Sequence, residues 1–98
     1  MARPTALSAD EVAAGLTHLH GWTGDPAGIE RVVDAPSFLS GVRLVTEVAR
    51  LAEDMDHHPD IDIRWRKVRF FLSTHDAGGV TELDLAQARR IDALAAAL

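Results

Sequence analysis

The chain reads as an α+β protein: a four-stranded antiparallel sheet with helices packed on one face, in the order αββαββα. Three observations predict this. Apolar residues recur at three- and four-residue spacing in three stretches, near the start, the middle and the end of the sequence. Between them lie shorter stretches where apolar and polar residues alternate, the period of half-buried strands. The strands fall in consecutive pairs separated by helices, which favours an antiparallel sheet covered on one side.

The first helix has a legible start. Ser8 followed by Glu11 makes a capping box, and Leu7 and Val12 are placed as a hydrophobic staple. Val12, Leu16 and Leu19 continue the apolar stripe, and Gly21 is expected to end the helix. Trp22 begins a short extended piece. Thr23-Gly24-Asp25-Pro26-Ala27-Gly28 reads as a turn, since glycine and Asp-Pro supply the backbone angles a turn needs. The following Ile29–Val33 reads as a strand, so Trp22 and Val33 should belong to one small hairpin.

Asp34-Ala35-Pro36 opens a central helix expected over about Pro36 to Glu53, with proline tolerated in the first turn. Its stripe reads as Phe38, Val42, Val45, Val48, Ala49, Ala52 and Met55, the face that should cover the sheet. Pro59 excludes helix just before it. Ile61, Ile63 and Trp65 alternate with Asp62, Arg64 and Arg66, and Val68, Phe70 and Leu72 repeat the pattern. Near Arg66-Lys67 there is no Gly or Asn, so a bent strand, a bulge or a crossover would each fit. Asp76–Gly79 is a loop, and Thr81 caps a last helix whose apolar positions are Leu83, Ala86, Ile91, Leu94 and Leu98.

Ninety-eight residues, 47% of them hydrophobic, suit one domain spanning 1–98 with one core. A chain this small has much surface for its volume, so self-association is an economical way to bury more of it. The net charge of −5 argues against nucleic acid as partner. The cluster Arg64, Arg66, Lys67 and Arg69 reads as a solvated sheet edge or face. With no cysteine, disulfides, iron–sulfur clusters and thiolate zinc sites are excluded. The polar start at Met1-Ala-Arg-Pro-Thr shows no apolar leader, and no apolar run reaches the ~18–20 residues that span a bilayer. The expectation is a cytoplasmic protein without membrane contact.

Three of the five histidines fall in two short stretches, His57-His58-Pro59 and Ser73-Thr74-His75. Histidine is the side chain whose ordinary pKa, about 6.5, lets it give and take protons near neutral pH. Taken alone, the His-His pair is explained by a polar loop at a helix C-terminus, where it offsets the dipole. His75 tips the balance, because it ends a strand and precedes the small loop Ala77-Gly78-Gly79, where backbone can approach a flat ligand. Metal ligation is the weaker reading: consecutive histidines seldom chelate one ion, and the i, i+4 pair typical of metal hydrolases is missing. Ser73 and Thr74 show no nucleophile elbow, and Gly78-Gly79 is no phosphate loop. Asp84 is explained by its N3 position in the Thr81 cap. Trp22 and Trp65 read as core, His18 and His20 as surface.

The spacing as a whole is specific. Glu53, three residues, His57-His58-Pro59, five residues, Trp65, nine residues, His75, eight residues and Asp84 resembles the signature of the pterin-4a-carbinolamine dehydratases. Gly21-Trp22, Phe38 and Leu72-Ser73-Thr74-His75 agree, and the resemblance runs from about Leu7 to Ile91. It implies the αββαββα fold, dimers that join sheets edge to edge, and pairing of dimers into tetramers through helices. The implied reaction dehydrates a 4a-hydroxytetrahydropterin to quinonoid dihydropterin, with no cofactor or metal. His57, His58 and His75 would be the catalytic histidines, with acid and base left unassigned among them. Pro59 and the stretch Thr74, Asp76 and Ala77 would bind the pterin ring. Glu53 and Asp84 would orient the site, and Trp65 would be a pocket wall or core support. Ile61 stands where relatives often carry an aromatic residue, and the first hairpin is short and glycine-rich beside the family's pattern.

The implied role is recycling of the pterin cofactor of an aromatic amino acid hydroxylase, a pathway partner. The alternative is a non-catalytic dimerisation or assembly module, since members of this fold also serve as partners of a transcription factor and as assembly chaperones. A pure scaffold has no need of His57, His58, His75 and Asp84 at these spacings, which favours the enzyme.

Overall fold

The computed structural model describes residues 4–98, so the polar start at Met1–Arg3 lies outside the described residues. The element order is α1 (Ala9–Leu16), β1 (Thr23–Asp25), β2 (Gly28–Asp34), α2 (Phe38–Met55), β3 (Asp60–Arg64), β4 (Lys67–Leu72) and α3 (Glu82–Ala96). The four strands form one antiparallel sheet in the order β1-β2-β4-β3. The predicted αββαββα architecture is the one observed. α2 carries the chain from β2 to the far edge, and β4 then returns between them.

Period-2 alternation fixes which side of the sheet the helices cover. Ile29 and Val33 of β2 and Val68, Phe70 and Leu72 of β4 are buried on one face. The other face carries ion pairs: Glu30 with Arg69 and Asp34 with Lys67 across strands, Asp34 also with Arg66, and Asp62 with Arg64 along β3. The basic cluster is therefore the solvated face expected of it. No helix among the described residues is long and apolar enough to cross a membrane.

Several boundaries depart from the sequence reading. α1 has its predicted capping box, but ends at Leu16 with Thr17 as C-cap, and Gly21 lies in the turns beyond, at φ +88°. Thr23-Gly24-Asp25 is an edge strand, and the turn is only Pro26-Ala27, held by the Ala27 N–H donating to Asp25 Oδ1 at 2.8 Å. Gly24, at φ +150°, makes that pairing possible, since a Cβ there would lie 2.2 Å from the Gly28 carbonyl oxygen. Trp22 is core as expected, its indole N–H donating to Asp92 Oδ1 at 2.8 Å.

α2 starts two residues later than predicted, because Ser37 accepts the Ser40 N–H at 3.1 Å and Pro36 stays outside. Its buried face is Gly41, Leu44, Val48, Leu51 and Ala52, whereas Phe38 (55% exposed) and Val42 point to solvent. Two three-and-four registers coexist in this sequence, and the structure uses the one that puts Gly41 against Val68 of β4. α3 likewise buries Leu85, Ala88 and Ile91 in preference to Leu83 and Ala86. Two polar residues, Asp84 and Gln87, share that buried face, and an apolar-pattern reading passes over them.

β3 and β4 meet in a two-residue turn, Trp65-Arg66, between the paired Arg64 and Lys67. Trp65 takes φ +56°, the strained first position of such a turn, without the glycine that usually marks it. This tight hairpin corrects the three connections considered from sequence. It also puts Trp65 at the tip, 68% exposed with Arg66 stacked over its ring, and not in the core.

Candidate active site

The histidines are held by three chain ends that meet above the start of α3. α2 stops at Met55, and Asp56 follows in the left-handed region at φ +48°. That turn lets the His57 N–H donate to the Ala52 carbonyl at 3.0 Å, and the chain then enters the sheet as β3. At the end of β4, Ser73 donates to the Ala27 carbonyl at 2.9 Å, and a single 3₁₀ turn, His75–Ala77, follows. Gly78 closes it at φ +77°, and Thr74 bridges to Gly79. The Val80 N–H then donates to the Pro26 carbonyl at 2.9 Å, and the Leu7 N–H to the Val80 carbonyl at 2.8 Å. α3 is thereby started directly beneath the two histidine segments.

Asp84 is the hub. It is fully buried, and its carboxylate accepts from three donors. Oδ1 lies 2.5 Å from His57 Nε2, and Oδ2 accepts the Thr74 hydroxyl at 2.7 Å and the Thr81 N–H at 2.8 Å. Since the Thr74 proton is spent on Asp84, the Thr81 hydroxyl must be the donor in the 2.8 Å Thr74–Thr81 contact. The Thr74 hydroxyl and the Thr81 N–H both fall on Oδ2, which leaves Oδ1 to His57 alone; with Asp84 as a carboxylate, the shared proton sits on His57 Nε2. The lone pair of neutral His57 is then on Nδ1. His58 is arranged differently: its Nε2 lies 2.8 Å from Glu53 Oε2, and both side chains are exposed. The His75 ring makes no hydrogen bond among the described residues.

A cavity of about 330 Å³ gathers His57, His58, Thr74, His75, Asp76 and Ala77, with Asp56, Ser73, Leu83 and Pro4 completing its wall. That is within the usual range for a small-molecule site. Asp84 and Glu53 stand behind His57 and His58, each in contact with the Nε2 of its histidine. Pro59 does not line the cavity: it restricts His58 from the side. Trp65 is not a pocket wall, because the tight turn carries it to the hairpin tip. A larger cleft of about 540 Å³ between α2 and the end of α3 contains no histidine. Among the described residues, no three His, Asp or Glu side chains converge as a metal site.

Five features escaped the sequence reading: Pro4, Asp56 and Leu83 of the cavity wall, the buried hydroxyl of Thr81, and Gln87. Asp56 carried a signal, as the residue that must turn left-handed between a helix and His57. Thr81 and Gln87 carried none that their types alone would reveal.

Comparison with known proteins gives one answer. The family profile of Pterin 4 alpha carbinolamine dehydratase matches residues 5–94. A relative from Mycobacterium sp. (strain KMS), provisionally named a pterin-4-alpha-carbinolamine dehydratase, is 52% identical over 86 residues, 88% of this chain and 92% of its own. Among solved structures, a transcriptional coactivator/pterin dehydratase from Brucella melitensis superposes with a TM-score of 0.89 and 32% identity, covering 93% of this chain and 99% of that one. A pterin dehydratase-like protein described as a RuBisCO assembly factor in the alpha-carboxysome gives 0.65 and 28%, over 80% and 93%. With a profile over nearly the whole described chain and half-identical relatives matched along most of their length, this chain belongs to the pterin-4a-carbinolamine dehydratase family, whose members are named as hydro-lyases.

Proposed function

We propose that this chain dehydrates a 4a-hydroxytetrahydropterin to quinonoid dihydropterin and water, by acid–base catalysis from its histidines, in recycling of a pterin cofactor. The convergence of His57, His58 and His75 on one cavity carries the reading. In the reaction the C4a–O bond breaks, N5 loses its proton and a C4a–N5 double bond forms. The departing hydroxyl takes up one proton, so one group donates, another accepts, and nothing is oxidised or reduced.

His57 is the base. Asp84 holds its Nε2 proton, Nδ1 takes the proton from N5, and the buried carboxylate offsets the charge the ring gains. His75 is the acid toward the leaving hydroxyl, and its ring spends no proton on any partner among the described residues. His58, tethered by Glu53, is the exposed proton carrier beside them. The N–H groups of His75 and Asp76 open the 3₁₀ turn without hydrogen-bond partners among the described residues and can pair with the edge of the pterin. Acid–base catalysis of this kind is worth about 10²–10⁴-fold.

A second reading has one observation behind it, the likeness to the RuBisCO assembly factor: a module that binds a protein partner without catalysis. The same experiment separates them. Dehydration of freshly generated 4a-hydroxytetrahydropterin is followed by stopped-flow absorbance with chelator-treated protein. Acceleration that disappears in a folded His57→Ala/His75→Ala variant supports the dehydratase. No acceleration by the unmodified protein refutes it and leaves the assembly role.

A further inference from the structure

Gln87 is fully buried on α3, three residues beyond Asp84 and so on the same helix face. Its Nε2 donates to the main-chain carbonyl of His57 at 2.6 Å. Its Oε1 is buried without a partner among the described residues. The amide cannot be turned over, because that would set two acceptors against each other at the same separation. An apolar side chain of equal size would remove the unpaired Oε1 but leave the His57 carbonyl without its donor, so the amide exchanges one unpaired acceptor for another and brings little net stability. What it gains is the position of one carbonyl.

That carbonyl belongs to the peptide unit joining His57 to His58. The His57 N–H is already fixed by the Ala52 carbonyl and its ring by Asp84. With Gln87, backbone donor, backbone acceptor and side chain are each tied to a different anchor, two of them one helical turn apart on α3. Without it, the peptide plane can rotate, and rotation changes both the approach of His57 to Asp84 and the direction in which His58 leaves.

We propose that Gln87 is a positioning residue for the histidine pair, its amide holding the His57–His58 peptide so that the His57 ring keeps a single tautomer against Asp84. This rests on the reading of His57 as the base. The test compares wild type, Gln87→Leu, Gln87→Met and His57→Ala by thermal unfolding, by stopped-flow kcat and KM, and by ¹⁵N NMR of the imidazoles. In the Gln87 variants the expected result is a Tm near that of wild type, kcat lower by about tenfold with KM within about twofold, and His57 resonances averaged between tautomers. Unchanged kcat with one Nε2–H tautomer in a folded variant overturns the proposal. Failure of both Gln87 variants to fold also overturns it, since Gln87 would then be a core residue. If wild type gives no acceleration, or His57→Ala retains it, the catalytic reading falls, and the NMR spectra still decide whether Gln87 positions His57.

Discussion

Replacing Asp84 by asparagine tests the site at its hub. The side chain keeps its shape but offers one acceptor and one donor where there were two acceptors. The Thr74 hydroxyl and Thr81 N–H both need an acceptor, so the amide oxygen turns toward them and the NH₂ group faces His57. Two donors cannot meet at 2.5 Å, and His57 must move its proton to Nδ1. The lone pair assigned to the reaction is then lost, and the one that remains, on Nε2, faces the introduced amide. Loss of a positioned base costs about 10²–10⁴ in kcat. The three contacts also fall from charge-assisted to neutral strength, about 1 kcal/mol each at most, so stability drops by roughly 2–3 kcal/mol. For a domain of this size that lowers Tm by roughly 10–20 °C. Stopped-flow dehydration at a temperature where calorimetry shows the variant folded separates the two effects. Wild-type kcat in folded Asp84→Asn, with the proton on Nδ1 by ¹⁵N NMR, would refute the tautomer argument.

Three other perturbations test parts of the same frame. Glu53→Gln should lower kcat by at most about fivefold and leave Tm nearly unchanged, because an exposed ion pair is worth up to about 1 kcal/mol; a hundredfold loss would show that Glu53 takes part in the chemistry. Gly79→Ala would place a Cβ 2.5 Å from the Pro26 carbonyl oxygen, so urea unfolding should show a loss of about 1–3 kcal/mol, with disturbed amide signals over residues 74–79. The Ser8 backbone N–H, and then its hydroxyl, hold Glu11 below the ordinary carboxylate range. Its stabilisation of α1 is therefore complete above the ordinary range and lost as pH falls through the lowered value. The protection of α1 amides relative to their intrinsic exchange rates should fall over that interval in wild type and not in Glu11→Gln.

Fold and site were legible to different depths. Ser8–Glu11 and Thr81–Asp84 marked two helix starts because capping is local chemistry, and Ile61–Ile63 and Val68–Leu72 marked strands because one face is dry. α2 was read correctly at Val48 and Ala52, which are buried, and at Val45 and Met55, which pack against the core, but not at its first turns. Phe38 and Val42 fit the apolar spacing as well as Leu44 and Leu51 do, and only the approach of Gly41 to β4 decides between them. Trp65 misled for a related reason, since an aromatic residue continuing an alternation looks like strand until the turn is seen to consume it. His57, His58 and His75 were legible as a set through their spacing, and the pairing of His57 with Asp84 was not. A carboxylate at N3 is fully explained by its cap, and nothing local says that its second oxygen looks elsewhere.

That double use of Asp84 ties stability to chemistry in an uneven way. One oxygen completes the cap of α3 and gathers the Thr74 and Thr81 donors; the other sets the tautomer of His57. The cap and the Thr74 hydroxyl fix where the carboxylate sits through Oδ2, so the Oδ1 that His57 meets is held in place by contacts independent of the histidine. His75 has no such anchor: its ring is exposed, and its backbone is set by a 3₁₀ turn and the αL Gly78. Substitutions at Asp84 or Gln87 therefore act on structure and rate together, and the two must be measured side by side. Substitution at His75 removes an exposed ring without hydrogen-bond partners among the described residues, so its effect on rate can be read with little correction for folding.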